Sequence, residues 1–230
     1  MVISADSDGN INEESLPSRD MVQQYLDKIY AAAWDGGLGF SNIDQIAKDY
    51  TSRHSDVEDA IESLISWQTS HAGMTGFAGG VGGPLTSMVA IPASTVSVIG
   101  LQLRMAAAIA VMRGHDPKSN QFQTFVYACL LGNKAAGVLK VAGVNIATRG
   151  AQVALKNLSG QVLARINRLV GFRLVTKFGT TGSINLVKFV PVAGGLAAGG
   201  IDYYHTRQVG VAAKHFFPSA GSRTDPVKLE

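Results

Sequence analysis

An uncharged run of 27 residues, from Phe77 to Leu103, sets the first limit on the fold. A helix of that length would cross the roughly 30 Å hydrocarbon core of a bilayer. Pro84 and Pro92 interrupt the run, however, because proline lacks the amide hydrogen that a helix interior needs. Each glycine in it also weakens a helix by about 1 kcal/mol relative to alanine. The run therefore divides into pieces of about ten residues, which are too short to span a membrane.

A second glycine-rich stretch, "VPVAGGLAAGG" at residues 190–200, resembles the first, but the matching segment is too short to establish an internal repeat. Small residues let neighbouring helix backbones approach closely, and short apolar pieces can also lie in a membrane surface. We therefore expect both stretches either to pack closely or to dip into a membrane. The residues that define this membrane or packing segment are Gly79, Gly80, Gly82, Gly83, Pro84, Pro92, Pro191, Gly194, Gly195, Gly199 and Gly200.

Charge is divided unevenly along the chain. Residues 1–72 contain thirteen acidic and four basic side chains, whereas residues 73–230 contain four acidic and sixteen basic ones. Such asymmetry predicts partners rather than a fold. The sequence contains no nucleic-acid-binding motif, so we expect anionic membrane lipid, and not nucleic acid, to be the partner of the basic part. The candidate lipid-binding or anion-binding residues are Arg104, Lys156, Arg165, Arg168, Arg173, Lys177, Lys188 and Arg207.

Arg104 is the first charge after the uncharged run and allows two interpretations. Its guanidinium could bind a lipid phosphate through two hydrogen bonds. It could instead pair with an acidic residue of the amino-terminal helices, which would close the two oppositely charged parts against each other. We favour the second interpretation. The acidic part would then compete with anionic lipid for the basic surface.

Apolar residues recur at helical spacing through most of the chain, and we find no alternation long enough for a strand. We therefore predict an all-α fold, a compact multi-helix bundle whose apolar helices are broken by glycine and proline. Residues 1–17 and 218–230 are predicted to be tails, and residues 18–217 a single helical domain. Within that domain, residues 18–72 form acidic helices and residues 73–217 form the basic and apolar core.

Several helix starts can be predicted, because Ser, Thr, Asp and Asn side chains accept hydrogen bonds from the first free amides of a helix. Ser41 and Asp116 are predicted caps. Ser55, followed by Glu58 three residues later, predicts a capping box in which the Glu58 carboxylate reaches back to the cap amide. A further helix is predicted from Ala93 to about Met112. Two sets of apolar residues have helical spacing: Val57, Ile61, Leu64 and Ile65, and later Ile201, Tyr204, Val209 and Ala212.

Sequence motifs for nucleotide binding and for hydrolysis are missing. The stretch "GGVGGPLT" has neither GxxxxGK nor GxGxxG spacing, and no GxSxG elbow occurs. Asp202 and His205 are weak catalytic candidates, because residues three apart share a helix face and could orient an imidazole or bind a metal. Polar residues in such a place more often satisfy buried groups. We therefore expect no catalytic site, no metal and no cofactor.

The single cysteine, Cys129, excludes an internal disulfide and is typical of a reducing compartment. Its apolar neighbours predict a buried, unreactive thiol. The amino terminus is acidic and has no apolar stretch, so it is not a secretory signal. We expect a cytoplasmic protein that is peripheral at the inner face of the membrane.

Several landmarks resemble the EcsC family of bacterial proteins, which is named after the third product of an operon that also encodes an ABC transporter. They include "AIESLISWQTSHAGMTGF", "GGVGGPLT", "IPASTVSVIGLQLRMAAAIAVMRGHD", "FVYACLLG", "VGFRLVTKFG" and "INLVKFVPVAGGLAAGGIDYYHTRQVGVAAKHFF". They occur in order over about residues 40–217. The resemblance implies a mostly helical protein with a suspected link to the membrane. It implies no established reaction and no agreed catalytic residues.

These observations favour a non-enzymatic helical protein that binds or inserts into anionic lipid surfaces, with a role in transporter or envelope physiology. Two alternatives stay open. The first is a soluble carrier of lipid or fatty acid with an apolar cavity, whose ligand is an acyl chain. The second is a hydrolase that uses Asp202 and His205. A protein partner is compatible with all three, and the sequence does not indicate an oligomeric state.

Overall fold

A computed structural model describes residues 19–35, 41–75, 93–116, 119–144, 158–181 and 191–219. Within these ranges the chain is helical and contains no strand, which confirms the predicted all-α bundle. A 3₁₀ turn, Gly132–Lys134, joins the fifth and sixth helices. The helices are α1 Arg19–Trp34, α2 Ile43–Arg53, α3 Val57–Thr75, α4 Ala93–Met112, α5 Asn120–Cys129, α6 Ala135–Val141, α7 Gly160–Thr181 and α8 Pro191–Phe216.

The helix starts differ from the predicted caps by one to three residues. Asn42, and not Ser41, caps α2 by accepting a hydrogen bond of 2.8 Å from the amide of Gln45. Asp56, and not Ser55, accepts from the first amides of α3. In both cases the cap is the residue that directly precedes the first helical turn, where its side chain can reach the free amides.

The cap of α5 also lies closer to the helix than predicted. Ser119, and not Asp116, accepts a hydrogen bond of 3.1 Å from the amide of Phe122. The backbone of Ser119 is extended, with φ −80° and ψ 143°, as a cap requires. Pro117, which directly follows Asp116 in the sequence, lies outside the described residues.

Helix α4 is the central helix of the core and has the predicted bounds. All residues from Leu101 to Ala110 are buried, including Gln102 and Arg104. Helices α1, α2, α3, α5 and α8 all pack against α4. A helix that is apolar on all sides must be enclosed by other elements. The part of the uncharged run that is described with its side chains, residues 98–103, is therefore largely buried within the protein.

None of the helices in the described ranges is long and apolar enough to cross a membrane. The broken half of the uncharged run, with Gly79, Gly80, Gly82, Gly83, Pro84 and Pro92, lies outside the described residues. Helix α8 does begin at Pro191, the position where a missing amide hydrogen is tolerated. The structure describes only the backbone of α8 at Gly194, Gly195 and Gly199.

Helices α3 and α8 form the most extensive helix pair among the described residues, and they run in opposite directions. Glu62 near the start of α3 binds the ammonium of Lys214 near the end of α8. One turn further along, Ile65 of α3 lies against Gly210 of α8. The register is thus set by an ion pair followed by a close backbone approach.

The close approach requires a glycine at position 210. A Cβ there would lie 2.8 Å from Cγ1 of Ile65, which is tighter than real Cβ contacts. Ile65 is buried and β-branched, so its side chain has little freedom to move away. Gly200 is exposed, and a Cβ there would meet no atom within 4 Å. Close packing of α8 therefore occurs at Gly210 and not at Gly200.

Helix α4 runs parallel to α8 and antiparallel to α3. Arg113, directly after α4, binds Glu58 at the start of α3 and the main chain of Lys214 in the last turn of α8. Further back, Gln102 of α4 binds Thr206 of α8. The start of α3 and the ends of α4 and α8 therefore lie together at one end of this three-helix bundle.

Candidate functional site

One end of the bundle, here called the charged end, consists of Glu58, Glu62, Arg113 and Lys214. The guanidinium of Arg113 donates hydrogen bonds of 2.5–3.0 Å to both carboxylate oxygens of Glu58. The same guanidinium donates to the main-chain oxygens of Lys214 at 2.6 Å and Phe217 at 2.7 Å. Arg113 thereby joins the start of α3 to the end of α8 and satisfies carbonyls that the helix itself leaves open.

The charged end brings the acidic and basic parts of the chain together. Lys214 pairs with Glu62 and also lies 3.6 Å from Glu58, whose Oε1 accepts from the Ser219 hydroxyl. An arginine that closes the two parts against each other is found at Arg113. Position could have indicated this, because Arg113 directly follows the last turn of α4, next to the ends of α3 and α8 that it joins.

Two details of the α3 start depart from the predictions. The Glu58 carboxylate turns to Arg113 and does not reach back to a cap amide, since a buried guanidinium with two aligned donors binds a carboxylate more strongly than a neutral amide does. Val57 is 37% exposed, whereas Ile61, Leu64 and Ile65 are buried. Val57 precedes the part of α3 that the other helices cover.

The pKa of Glu58 leads to a prediction about pH. Burial by itself raises the pKa of this carboxyl, but hydrogen bonds and charge from Arg113, with smaller contributions from Ser219 and Lys214, outweigh burial. The pKa in the folded protein is therefore below the ordinary value of 4.5. A lowered folded-state pKa stabilises the protein above the unfolded pKa, and this contribution is lost as pH falls through the folded-state value.

We therefore expect the stability of the wild type to fall below about pH 4.5 more steeply than that of the Glu58→Gln variant. Urea unfolding at several pH values measures both curves. Glu62→Gln is the matched control, because the Glu62 carboxylate pairs with the partly exposed Lys214 and is itself more exposed than that of Glu58. Parallel curves for wild type and Glu58→Gln would show that the Arg113 contact does not discriminate between the two charge states.

The opposite end, here called the apolar end, is where α3 ends at Thr75, α4 begins at Ala93 and α8 begins at Pro191. In the sequence, residues 76–92 between α3 and α4 are uncharged, as are residues 191–201 of α8. Both uncharged stretches thus meet the described bundle at the same end.

The middle of α8 carries an exposed surface that is mostly apolar. Ile201 is 57% exposed, Tyr203 46% and Tyr204 53%, and the exposed Arg207 lies one turn beyond Tyr203. These four residues are here called the α8 surface. On the other side of the helix, Thr206, Val209 and Ala213 are buried. Of the apolar set predicted from spacing in this helix, only Val209 and Ala212 are buried.

A group of polar side chains lies inside the bundle, between its two ends. It consists of Gln68 and Thr69 of α3, Gln102 of α4 and Thr206 of α8, each at most 4% exposed. Gln102 Nε2 donates to Thr206 Oγ1 at 3.0 Å. Within the part of the chain that the structure describes, Gln68 Oε1 and Thr69 Oγ1 are buried without a hydrogen-bond partner. The four residues are here called the polar layer.

Helix register places the four residues of the polar layer at one level. Thr69 lies one turn beyond Ile65, and Thr206 one turn before Gly210, so the antiparallel contact brings these two threonines opposite each other. At 1.5 Å per residue, Gln68 and Gln102 each lie about 15 Å from the charged end. The sequence signal for this layer is glutamine and threonine at core positions of apolar helices.

The predicted lipid-binding arginines and lysines differ in exposure and in whether the structure describes their side chains. Arg104 is 5% exposed and donates a hydrogen bond to the main-chain oxygen of Ser41, so it is enclosed by the core and not at a surface. Arg207 is exposed on α8, Arg165 is exposed on α7, and Arg168 is partly exposed there. Only the backbone is described at Arg173 and Lys177, and Lys156 and Lys188 lie outside the described residues.

Asp202 and His205 are both partly buried on α8, and the His205 ring lies edge-on to Tyr204 with centroids 5.8 Å apart. The described residues contain no group of three His, Cys, Asp or Glu side chains that could hold a metal. A hydrolytic role for the pair stays a prediction. Cys129 is buried as predicted, and burial raises the pKa of its thiol, which keeps it protonated and unreactive at neutral pH.

Comparison with known proteins identifies one family. The model of the EcsC protein family matches residues 19–218. The uncharacterized protein YdbA of Bacillus subtilis (strain 168) is 31% identical over 139 residues, which is 60% of this chain. The matched region spans about half, 48%, of the length of YdbA. No solved structure matches this chain.

Proposed function

Since this chain belongs to the EcsC protein family, whose name indicates no reaction, we propose a function from the geometry of the chain. It is a non-enzymatic protein that binds anionic membrane surfaces through the apolar end of its bundle. The α8 surface is the observation that carries this proposal. It presents Tyr203 and Tyr204 beside Ile201 and Arg207. Binding at the inner face of the membrane, in transporter or envelope physiology, is part of the same proposal.

The chemistry of the α8 surface suits a membrane interface. Tyrosine has an apolar ring and a polar tip, and it is enriched where hydrocarbon meets water. The guanidinium of Arg207 can bind a lipid phosphate through two parallel hydrogen bonds. Asp202 is the one acidic residue in the sequence between Lys118 and Arg223, so little negative charge repels an anionic headgroup.

The uncharged stretches support the same orientation. Residues 76–92, between α3 and α4, and residues 191–201, at the start of α8, contain no charged side chain. Helices α3, α4 and α8 meet at the apolar end. A protein that approached a membrane with this end would bring its least charged sequence nearest to the lipid. The charged end, with Glu58 and Glu62, would point towards water.

Vesicle flotation tests the proposal. We expect the full chain to float with phosphatidylcholine vesicles only when they contain phosphatidylglycerol, and to be released by salt, since exposed charges are screened within about 10 Å at 0.1 M. Arg207→Gln should weaken binding about fivefold, because one basic residue near an anionic surface contributes about 1 kcal/mol. The double change Tyr203→Ser and Tyr204→Ser should weaken it further.

Val57→Ser is the matched control, since Val57 is also an exposed apolar residue but lies at the start of α3 near the charged end. It should float as the wild type does. Flotation that ignores phosphatidylglycerol and salt, or that is reduced equally by Val57→Ser, would rule out binding through the α8 surface.

A further inference from the structure

The two unpartnered atoms of the polar layer indicate that this layer has a role besides packing the helices together. A buried polar atom without a hydrogen bond costs about 1–3 kcal/mol, so native interiors rarely retain one without a function or a bound molecule. The described chain buries two at one level of the same helix bundle, Gln68 Oε1 and Thr69 Oγ1. Opposite them, Gln102 and Thr206 are already bonded to each other.

The geometry points to a binding site, and we propose that the polar layer binds the hydroxyl group of an uncharged ligand that has a hydrocarbon chain. A hydroxyl both donates and accepts hydrogen bonds, so one group can serve the Gln68 amide and the Thr69 hydroxyl together. The interaction requires no covalent step. It is distinct from the α8 surface and does not depend on membrane binding.

The chemistry of the layer selects against charged ligands. Its four side chains are two amides and two hydroxyls, with no formal charge among them. A carboxylate or phosphate buried there would lose its hydration without gaining a cation, which costs far more than burial of a neutral hydroxyl. The proposed ligand class is therefore an alcohol, and not an ionised fatty acid.

The surroundings of the layer are apolar on both sides. One turn towards the apolar end lie Ala72 of α3 and Ile99 of α4, and towards the charged end lie Ile65 and Ala106. All four are buried. A hydrocarbon chain that extended from the bound hydroxyl would contact aliphatic side chains in either direction, as burial of apolar area requires.

Calorimetric titration of the full chain without vesicles tests the proposal, with 1-decanol as the probe and decanoate as the charged comparison. We expect 1-decanol to bind and to raise the unfolding temperature, and decanoate at pH 8 to do neither. Gln68→Leu should weaken 1-decanol binding about five- to tenfold, the value of one lost hydrogen bond. Gln161→Leu, an exposed glutamine on α7, should bind as the wild type does.

The unfolding temperature of Gln68→Leu without ligand is measured as well, to show whether the variant is folded. Gln68→Leu keeps a similar shape and removes the unpartnered acceptor together with the amide donor, so its own unfolding temperature should stay close to that of the wild type. No binding of 1-decanol by the wild type, or equal binding by Gln68→Leu, would overturn the proposal.

The same hydroxyl chemistry occurs in free alcohols and in membrane acylglycerols. Neutral phosphatidylcholine vesicles with and without monooleoylglycerol separate the two sources. Flotation that requires monooleoylglycerol and is lost in Gln68→Leu assigns a membrane source, whereas 1-decanol binding alone assigns a free one. Because these vesicles carry no anionic lipid, either result is independent of the proposed anionic surface binding.

Discussion

Replacing Arg113 by methionine is expected to lower the free energy of unfolding by about 2–4 kcal/mol. The guanidinium is only 5% exposed, and it binds Glu58 and two main-chain oxygens at the end of α8. Methionine keeps most of the aliphatic volume but donates no hydrogen bond. Glu58 is 41% exposed and can regain water, so we expect most of the loss to come from the part-buried bonds to the two main-chain oxygens.

Chemical denaturation measures this loss, and Arg53→Met is the matched control. Arg53 also ends a helix, α2, but its side chain is exposed, so its replacement should change stability by less than about 0.5 kcal/mol. Equal effects of the two changes would show that Arg113 is held at the charged end without stabilising it.

Replacing Gly132 by alanine is expected to cost about 2–5 kcal/mol, from two separate causes. Gly132 has φ +56°, a left-handed conformation that costs a residue with a side chain about 1–2 kcal/mol. A Cβ there would also lie 2.9 Å from Cβ of Gln208 on α8, and such overpacking costs about 1–3 kcal/mol. The Gln208 Cβ is attached directly to the backbone, so it cannot turn aside.

Gly143→Ala separates these causes. Gly143 has φ +87°, but a Cβ there would meet no atom within 4 Å, so only the backbone cost of about 1–2 kcal/mol applies. A double-mutant cycle of Gly132→Ala with Gln208→Gly isolates the contact itself. If Gly132→Ala cost no more than Gly143→Ala, the approach of α8 to the 3₁₀ turn would be looser than the structure shows.

Local patterns predicted the helices well because their physical causes are local. The limits of α4 follow from Pro92 before it and "GHD" after it, and the core face of α3 follows from the spacing of Ile61, Leu64 and Ile65. Cap positions were wrong by one to three residues because several polar residues precede each helix, and only the backbone conformation selects one of them.

The site could be predicted less well, because its contacts join distant parts of the chain. Charge asymmetry predicted that an arginine would close the acidic part against the basic part, but it did not indicate Arg113 as a residue that does so. Glycine content indicated close packing but could not identify Gly210, since the reason lies in Ile65 on another helix. Spacing placed Ile201 and Tyr204 with the buried Val209, but it carries no information about where neighbouring helices end.

The pairing of α3 with α8 has a consequence for synthesis. Glu58 and Ser219 are 161 residues apart, and a ribosome adds roughly 5–20 residues per second. Roughly 10–30 s therefore pass between the emergence of α3 and that of the segment that completes its partner. During this interval Ile65 is not yet packed against Gly210, so the nascent chain exposes apolar surface of α3. Chaperones are suited to shield such surface from aggregation.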